Sequence, residues 1–249
     1  MSRYQVAGDL INRTAVSVGL NKVADPFANS DPAFIQLVEL ANQLGEDLLD
    51  QYAWQILNRS HAFVTVPGDD GDYPLPVDFA YMLDQTGWQQ GGVNGSYPLL
   101  GPATSQVWSY LEALRLYDVT IYAYFWQNEG LFKLFPRPIV AAYPVSYRYI
   151  SNYWVAQTND VEAPRQASLT AYSNVVLYDP LLFIRGLKLQ FLQAKGFETT
   201  KAEDDFLSTF DSITGHDKPA PVLSMTNRSG FALRLLNGYD NVPETGYGL

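Results

Sequence analysis

Residues 31–66 read DPAFIQLVELANQLGEDLLDQYAWQILNRSHAFVTV, and the period of the apolar positions changes along them. Phe34, Leu37, Val38, Ala41, Leu44, Leu48, Tyr52 and Ile56 recur at three and four. Gln36, Glu39, Gln43, Glu46, Asp47 and Asp50 fill the opposite face. That spacing predicts an amphipathic helix of about 26 residues with one buried stripe. Ser30 or Asp31 caps its start, and Pro32 falls in the first turn, where its missing N–H costs nothing. After Asn58 the period drops, and HAFVTV (61–66) is strand-like.

Upstream, GDLINRTAVSVGL (8–20) reads as a short helix stopped by Gly19, and NKVADPFANS (21–30) as a loop. Downstream, PGDDGDY (67–73) has turn chemistry. YPLP (73–76) is extended, because a residue before proline avoids the α region. ATSQVWSYLEALRL (103–116) reads as another helix. VTIYAYFW, QNEG and LFKLF (119–135) spell a hairpin: two β-branched or aromatic runs around a glycine-containing turn. In PVSYRYISNYW (144–154), Val145, Tyr147 and Tyr149 alternate with Ser146 and Arg148, as in a third strand.

Residues 156–172 have loop composition, and VVLY (175–178) that of a short strand. Asp179 then caps a second long helix with Pro180 at its start. Ile184, Leu187, Phe191 and Ala194 line one side of it and Leu182, Leu189 and Leu192 another, so it should lie buried between neighbours. It stops at Lys195–Gly196. Thr200 and Glu203 have capping-box spacing, and the helix they open carries Phe206, Leu207, Phe210 and Ile213.

The order helix, long helix, β region, long helix, helix predicts an α+β protein. The helices of 1–58 and 178–215 form a bundle, and an antiparallel β-rich subdomain over 59–177 is inserted between them. Residues 216–249 are rich in proline and glycine yet carry Phe231, Leu233, Leu235, Leu236 and Tyr239. They read as an extended C-terminal arm whose apolar side chains bind a partner.

Composition narrows the functional classes. Net charge is −10, and 16 basic residues are scattered without a run. Holding nucleic acid requires clustered cations, so none is expected. No apolar run approaches the roughly 20 residues of a membrane span, and MSRYQVAGDL has no long apolar core of a secretory signal. Cysteine is absent, which excludes disulfides and thiolate metal sites and suits a reducing cytoplasm. The 17 tyrosines and 5 tryptophans fit either an aromatic β core or subunit interfaces.

No catalytic set stands out. His61 and His216 have no ligand partner at helical or strand spacing, and read as a strand-edge residue and a linker residue. Asp69, Asp70 and Asp72 fit a hairpin turn better than a calcium loop. Glu46, Asp47 and Asp50 point outward from one helix, unlike the opposed carboxylates of a glycosidase. Arg137 and Arg148 sit among aromatics, as stacked anchors or as strand surface. No catalytic residue, metal or cofactor is therefore assigned.

YPLPVDFAYMLDQTGW (73–88), YPLLGPATSQVWSYL (97–111), LFPRPIVAAYPVSYRYISNYWV (134–155) and LYDPLLFIRGLKLQFLQAKGF (177–197) occur in this order. That order resembles the head-to-tail adaptors of short-tailed bacteriophages, also called tail accessory factors or head completion proteins. The likeness covers roughly residues 30–213. It implies a structural virion protein at the head–tail junction, assembled in the host cytoplasm as a ring of twelve copies. Its partners would be the portal protein above and distal tail proteins (nozzle, fibre or needle) below, with DNA passing through unbound and no membrane contact. The helical part would face the portal and the β-rich part the tail.

Tyr73, Pro74, Leu75, Pro76, Asp78 and Phe79 fall on the family's Y-x-L-P-x-D-F element. Their expected role is architectural: the prolines fix an extended crossing, Asp78 caps the next element, and Phe79 and Trp88 anchor the β part to the helices. Two alternatives stand beside this reading. One is a tail-associated peptidoglycan hydrolase, an activity ascribed to some tail accessory factors. The other is a receptor- or carbohydrate-binding tail component that exposes a row of aromatics.

Overall fold

The computed structural model describes residues 4–92, 95–114, 124–137, 142–158 and 163–217. Helices α1 (Ala7–Ser17), α2 (Pro32–Gln51), α3 (Ser105–Leu114), α4 (Pro180–Ala194) and α5 (Thr200–Asp217) combine with short antiparallel strands, so the chain is α+β. One sheet joins β1 (Gln5–Val6), β12 (Val175–Val176), β10 (Val155–Ala156) and β11 (Arg165–Gln166), in that order. A second has the order β2 (Asn58–Val64), β9 (Pro144–Ser151), β5 (Trp88–Gly92), β6 (Gly95–Pro98), with β4 (Phe79–Met82) also on β9. A third has the order β3 (Asp72–Pro74), β8 (Leu131–Phe135), β7 (Tyr124–Asn128).

Helix α4 packs against α1, α2 and α5, as its apolar circumference requires. Asp179 caps it by accepting the Leu181 N–H at 2.8 Å, and Asp31 caps α2 by accepting the Ala33 N–H at 2.9 Å. Glycines allow the closest approaches. A Cβ on Gly45 would lie 2.1 Å from the Trp154 ring. The Gly45 carbonyl also accepts the Tyr178 hydroxyl at 2.9 Å, and Tyr178 stacks on Trp154. Asparagine side chains hold the loops. Asn12 exchanges two 3.0 Å hydrogen bonds with the backbone of Val23, and Asn42 accepts the Leu169 N–H at 2.7 Å.

A second core lies between the second and third sheets. Phe125, Phe132 and Tyr147 stack face to face at 5.0 and 4.9 Å. The hairpin β7–β8 turns at Glu129 and Gly130, both with positive φ, the backbone that suits a two-residue turn between twisted strands.

Several local expectations shift. Helix α2 ends at Gln51, and Tyr52 is extended. The Trp54 indole N–H donates to the Leu48 carbonyl at 2.7 Å and occupies the end of the helix. Tyr52 and Ile56 still pack on the helical core, so the apolar periodicity outlasts the helix. At α5 the partner of Glu203 is Thr199, whose hydroxyl donates to the carboxylate at 2.6 Å, while Thr200 turns to Glu198. Helix α5 reaches Asp217, so His216 stands in its last turn and not in a linker. The Asp217 carboxylate accepts the Gln55 N–H at 3.0 Å and holds that end in place. The run 119–123 and the arm residues Phe231, Leu233, Leu235, Leu236 and Tyr239 lie outside the described residues.

Two glycine substitutions should move stability in opposite directions. Gly45→Ala forces the Trp154 ring off its seat and should cost about 1–3 kcal/mol. Gly215→Ala, on an open helical surface, should gain up to about 1 kcal/mol. Thermal unfolding followed by circular dichroism reads both.

Candidate functional site

The stretch 73–88 runs from the third sheet into the second and carries the YPLPVDF residues singled out in the sequence. Tyr73 is buried, stacks on Phe63 at 4.4 Å, and its hydroxyl accepts the Val66 N–H at 3.1 Å. Pro74 pairs with Leu131, and the Leu75 N–H donates to the Gly130 carbonyl at 3.0 Å. The Pro76 carbonyl accepts the Phe79 N–H at 3.0 Å and closes a turn. At its tip Val77 is 89% exposed, while Asp78 beside it is 7% exposed.

Asp78 is a hub. Its carboxylate accepts from Arg59 Nη1 at 3.0 Å, the Tyr149 hydroxyl at 2.9 Å and the Ser151 hydroxyl at 2.7 Å. Its carbonyl accepts the Asn152 N–H at 2.8 Å. A strand follows Asp78, not a helix, and the side chain ties across to β2 and β9 where a cap was expected. Burial pushes its pKa up, but the hydrogen bonds from Ser151 and Tyr149 and the Arg59 charge outweigh it, so Asp78 is held below its ordinary value. Burial and the hydrogen bond to Asp78 push Tyr149 up to about 12. Burial lowers His61 against the opposing pull of Asp78, and its ring lies 5.4 Å from that of Tyr147.

The anchoring roles fall on other residues than expected. Phe79 stacks on Tyr149 at 5.6 Å and packs with the β core. Trp88 is half-buried on the sheet, opposite Ser146 and Pro98. Ala80, Tyr81 and Leu83 are the residues that reach the helical core. A register shift between Phe79 and Tyr81 permits this, because without it both would face one side. No pattern in DFAYML announces such a shift.

The remaining candidates are mostly paired. Asp70 meets Arg137 at 2.9 Å, and Asp72 meets Lys133 at 3.3 Å. Asp47 accepts from Gln190 at 2.8 Å. A cleft of about 380 Å³ brings Asp70 and Asp72 together with Trp108 and Glu112, and the Trp108 indole N–H donates to Glu112 at 3.0 Å. This grouping was not foreseen from the sequence, where its one trace is Trp108 and Glu112 standing a turn apart on α3. Among the described residues, no three His, Asp or Glu side chains are placed to share a metal ion. Nor is any described helix long and apolar enough to cross a membrane. Neither a scan against protein-family models nor a search of curated proteins finds a match to the chain.

Asp78→Ala should cost about 1.5–3 kcal/mol, the scale of hydrogen bonds to a charged group. Because the folded pKa lies below the unfolded one, this stability is present above the ordinary carboxylate range and lost as pH falls below it. Denaturant titrations at pH 7 and about pH 3 should show the difference between parent and variant shrinking at the acid end.

Proposed function

We propose that this chain is a head-to-tail adaptor of a short-tailed bacteriophage. It docks as a ring of twelve on the portal protein, extends the DNA channel, and carries the distal tail proteins. In this reading the helices of 1–58 and 178–215 form the portal-side bundle, 59–177 the tail-side β subdomain, and 216–249 the portal-binding arm. The observation that carries it is the use of the 73–88 element. Tyr73, Asp78 and Phe79 are consumed in fastening β layers together, and Ala80 and Tyr81 in joining them to the helices. A stretch spent on internal fastening fits a scaffold that bears load between partners.

The charge fits a conduit. At −10 per chain a ring repels the DNA it passes. The purified assembly should show negligible DNA retention at physiological salt, and tight binding that weakens steeply with salt would count against this. The decisive experiment is electron microscopy of the protein mixed with its portal, which should show a coaxial ring below the portal. Deleting 216–249 should leave the rest folded and impair docking. The hydrolase reading draws on the Asp70, Asp72 and Glu112 cleft. Clearing of purified peptidoglycan that disappeared in Glu112→Gln would favour it over the adaptor.

A further inference from the structure

An open groove of about 760 Å³ runs along β1, α1 and the loop after it, and Val6, Arg13, Val16 and Lys22 line it. Ala7, Leu10, Ile11 and Ala15 of α1 are buried in the helical core, whereas Val16 is 58% exposed. The Asp9 carboxylate in the lining already accepts the Tyr172 hydroxyl at 2.7 Å. Arg13 donates to the Gln5 side-chain oxygen at 2.7 Å. Among the described residues neither Arg13 nor Lys22 pairs with a carboxylate. Two unpaired cations beside an exposed valine suit an acidic partner with an apolar centre.

Helix α5 carries such a surface. Asp204, Leu207, Ser208 and Asp211 follow at i, i+3, i+4 and i+7, on one face of the helix, and all four are exposed. Leu207 is 57% exposed. The two carboxylates stand about 10 Å apart along the helix axis, with the leucine between them. Among the described residues neither joins an ion pair. The acidic face of α2 differs: Glu39, Gln43, Glu46 and Asp50 point outward with no large apolar side chain exposed among them.

We propose that the α1 groove receives α5 of a second copy of this chain. Leu207 covers Val6 and Val16, and Asp204 and Asp211 meet Arg13 and Lys22. This is a helix laid in a groove, with an apolar centre and a charged rim. The chain itself supplies both halves of the match: two unpaired cations against two unpaired carboxylates, and an exposed valine against an exposed leucine. Copies of net charge −10 repel each other in general, so a contact between them forms where opposite charges face. Groove and stripe are different surfaces, and their contact repeats from copy to copy, the arrangement that closes into rings. The ring rests on the adaptor reading, whereas the contact does not.

Charge exchange, read by light scattering over a range of concentrations, tests the contact. Arg13→Glu/Lys22→Glu reverses the groove and Asp204→Lys/Asp211→Lys reverses the stripe. All four side chains are exposed, so circular dichroism and the thermal midpoint should stay near those of the parent. Each twofold variant should associate at least roughly tenfold more weakly than the parent. With all four changes in one chain the charges cancel, −4 and +4, so the net charge stays −10 and association should return. Unchanged association in either twofold variant, or none in the fourfold variant, overturns the contact and leaves the adaptor reading standing. A parent that forms only a dimer dependent on these charges keeps the contact and overturns the ring. A parent that is monomeric at every concentration leaves the groove to another molecule and overturns the contact.

Cross-linking decides if a charge variant fails to fold. The chain has no cysteine of its own. Val16→Cys/Leu207→Cys treated with a short bis-maleimide should give a ladder of covalent multimers, because each copy offers its groove to one neighbour and its stripe to another. A product that stops at the dimer keeps the contact and overturns the ring. A product that stays monomeric overturns the contact.

Discussion

Burying a carboxylate costs several kcal/mol unless its lone pairs are used. Asp78 uses them on Arg59, Tyr149 and Ser151, which come from two different strands. These bonds fix the turn at Pro76–Phe79 against β9, and so fix where β4 begins. From that starting point the register shift after Phe79 turns alternate residues of one short strand into two different cores. The Asp78 carbonyl, which accepts the Asn152 N–H, and the pairing of Phe79 with Ser151 hold the same offset through the backbone. Carboxylate and backbone together thus tie β4 to β9 in one register.

Strand β9 completes what Asp78 begins. Val145, Tyr147 and Tyr149 face the β core, where Tyr147 closes the stack with Phe132 and Phe125. Ile150, and Trp154 just beyond the strand, belong to the helical core, where Trp154 lies against Gly45 and Tyr178. One continuous segment thus serves both cores. A shear between them would have to break either the hydroxyl bonds to Asp78 or the Trp154 seat.

Helices and strands with a clear period were legible in the sequence. Phe34 to Leu48 and the alternation at 144–149 read correctly because one face of each meets a core and the other does not, whereas from Ile150 onward β9 is buried on both faces. The end of α2 was not legible, because Tyr52 and Ile56 remain apolar for the core after the backbone has turned. The Thr199 cap was missed because two adjacent threonines offer the same chemistry, and only geometry chooses between them. At the candidate site, the architectural role expected of 73–88 came with the family resemblance, not with its composition. The transfer of the anchoring role from Phe79 and Trp88 to Ala80, Tyr81 and Leu83 depends on one register shift that no residue type encodes.

The aromatic content also acquires a definite use. Trp54, Trp108 and Trp154 are buried, and so are Tyr73, Tyr147, Tyr149 and Tyr178. Interfaces that rely on aromatic anchors need those rings at the surface, and these seven are committed inside. On the second sheet Ser60, Ala62 and Val64 form an exposed row of small side chains, and among the described residues the outer edge of β2 has no partner strand.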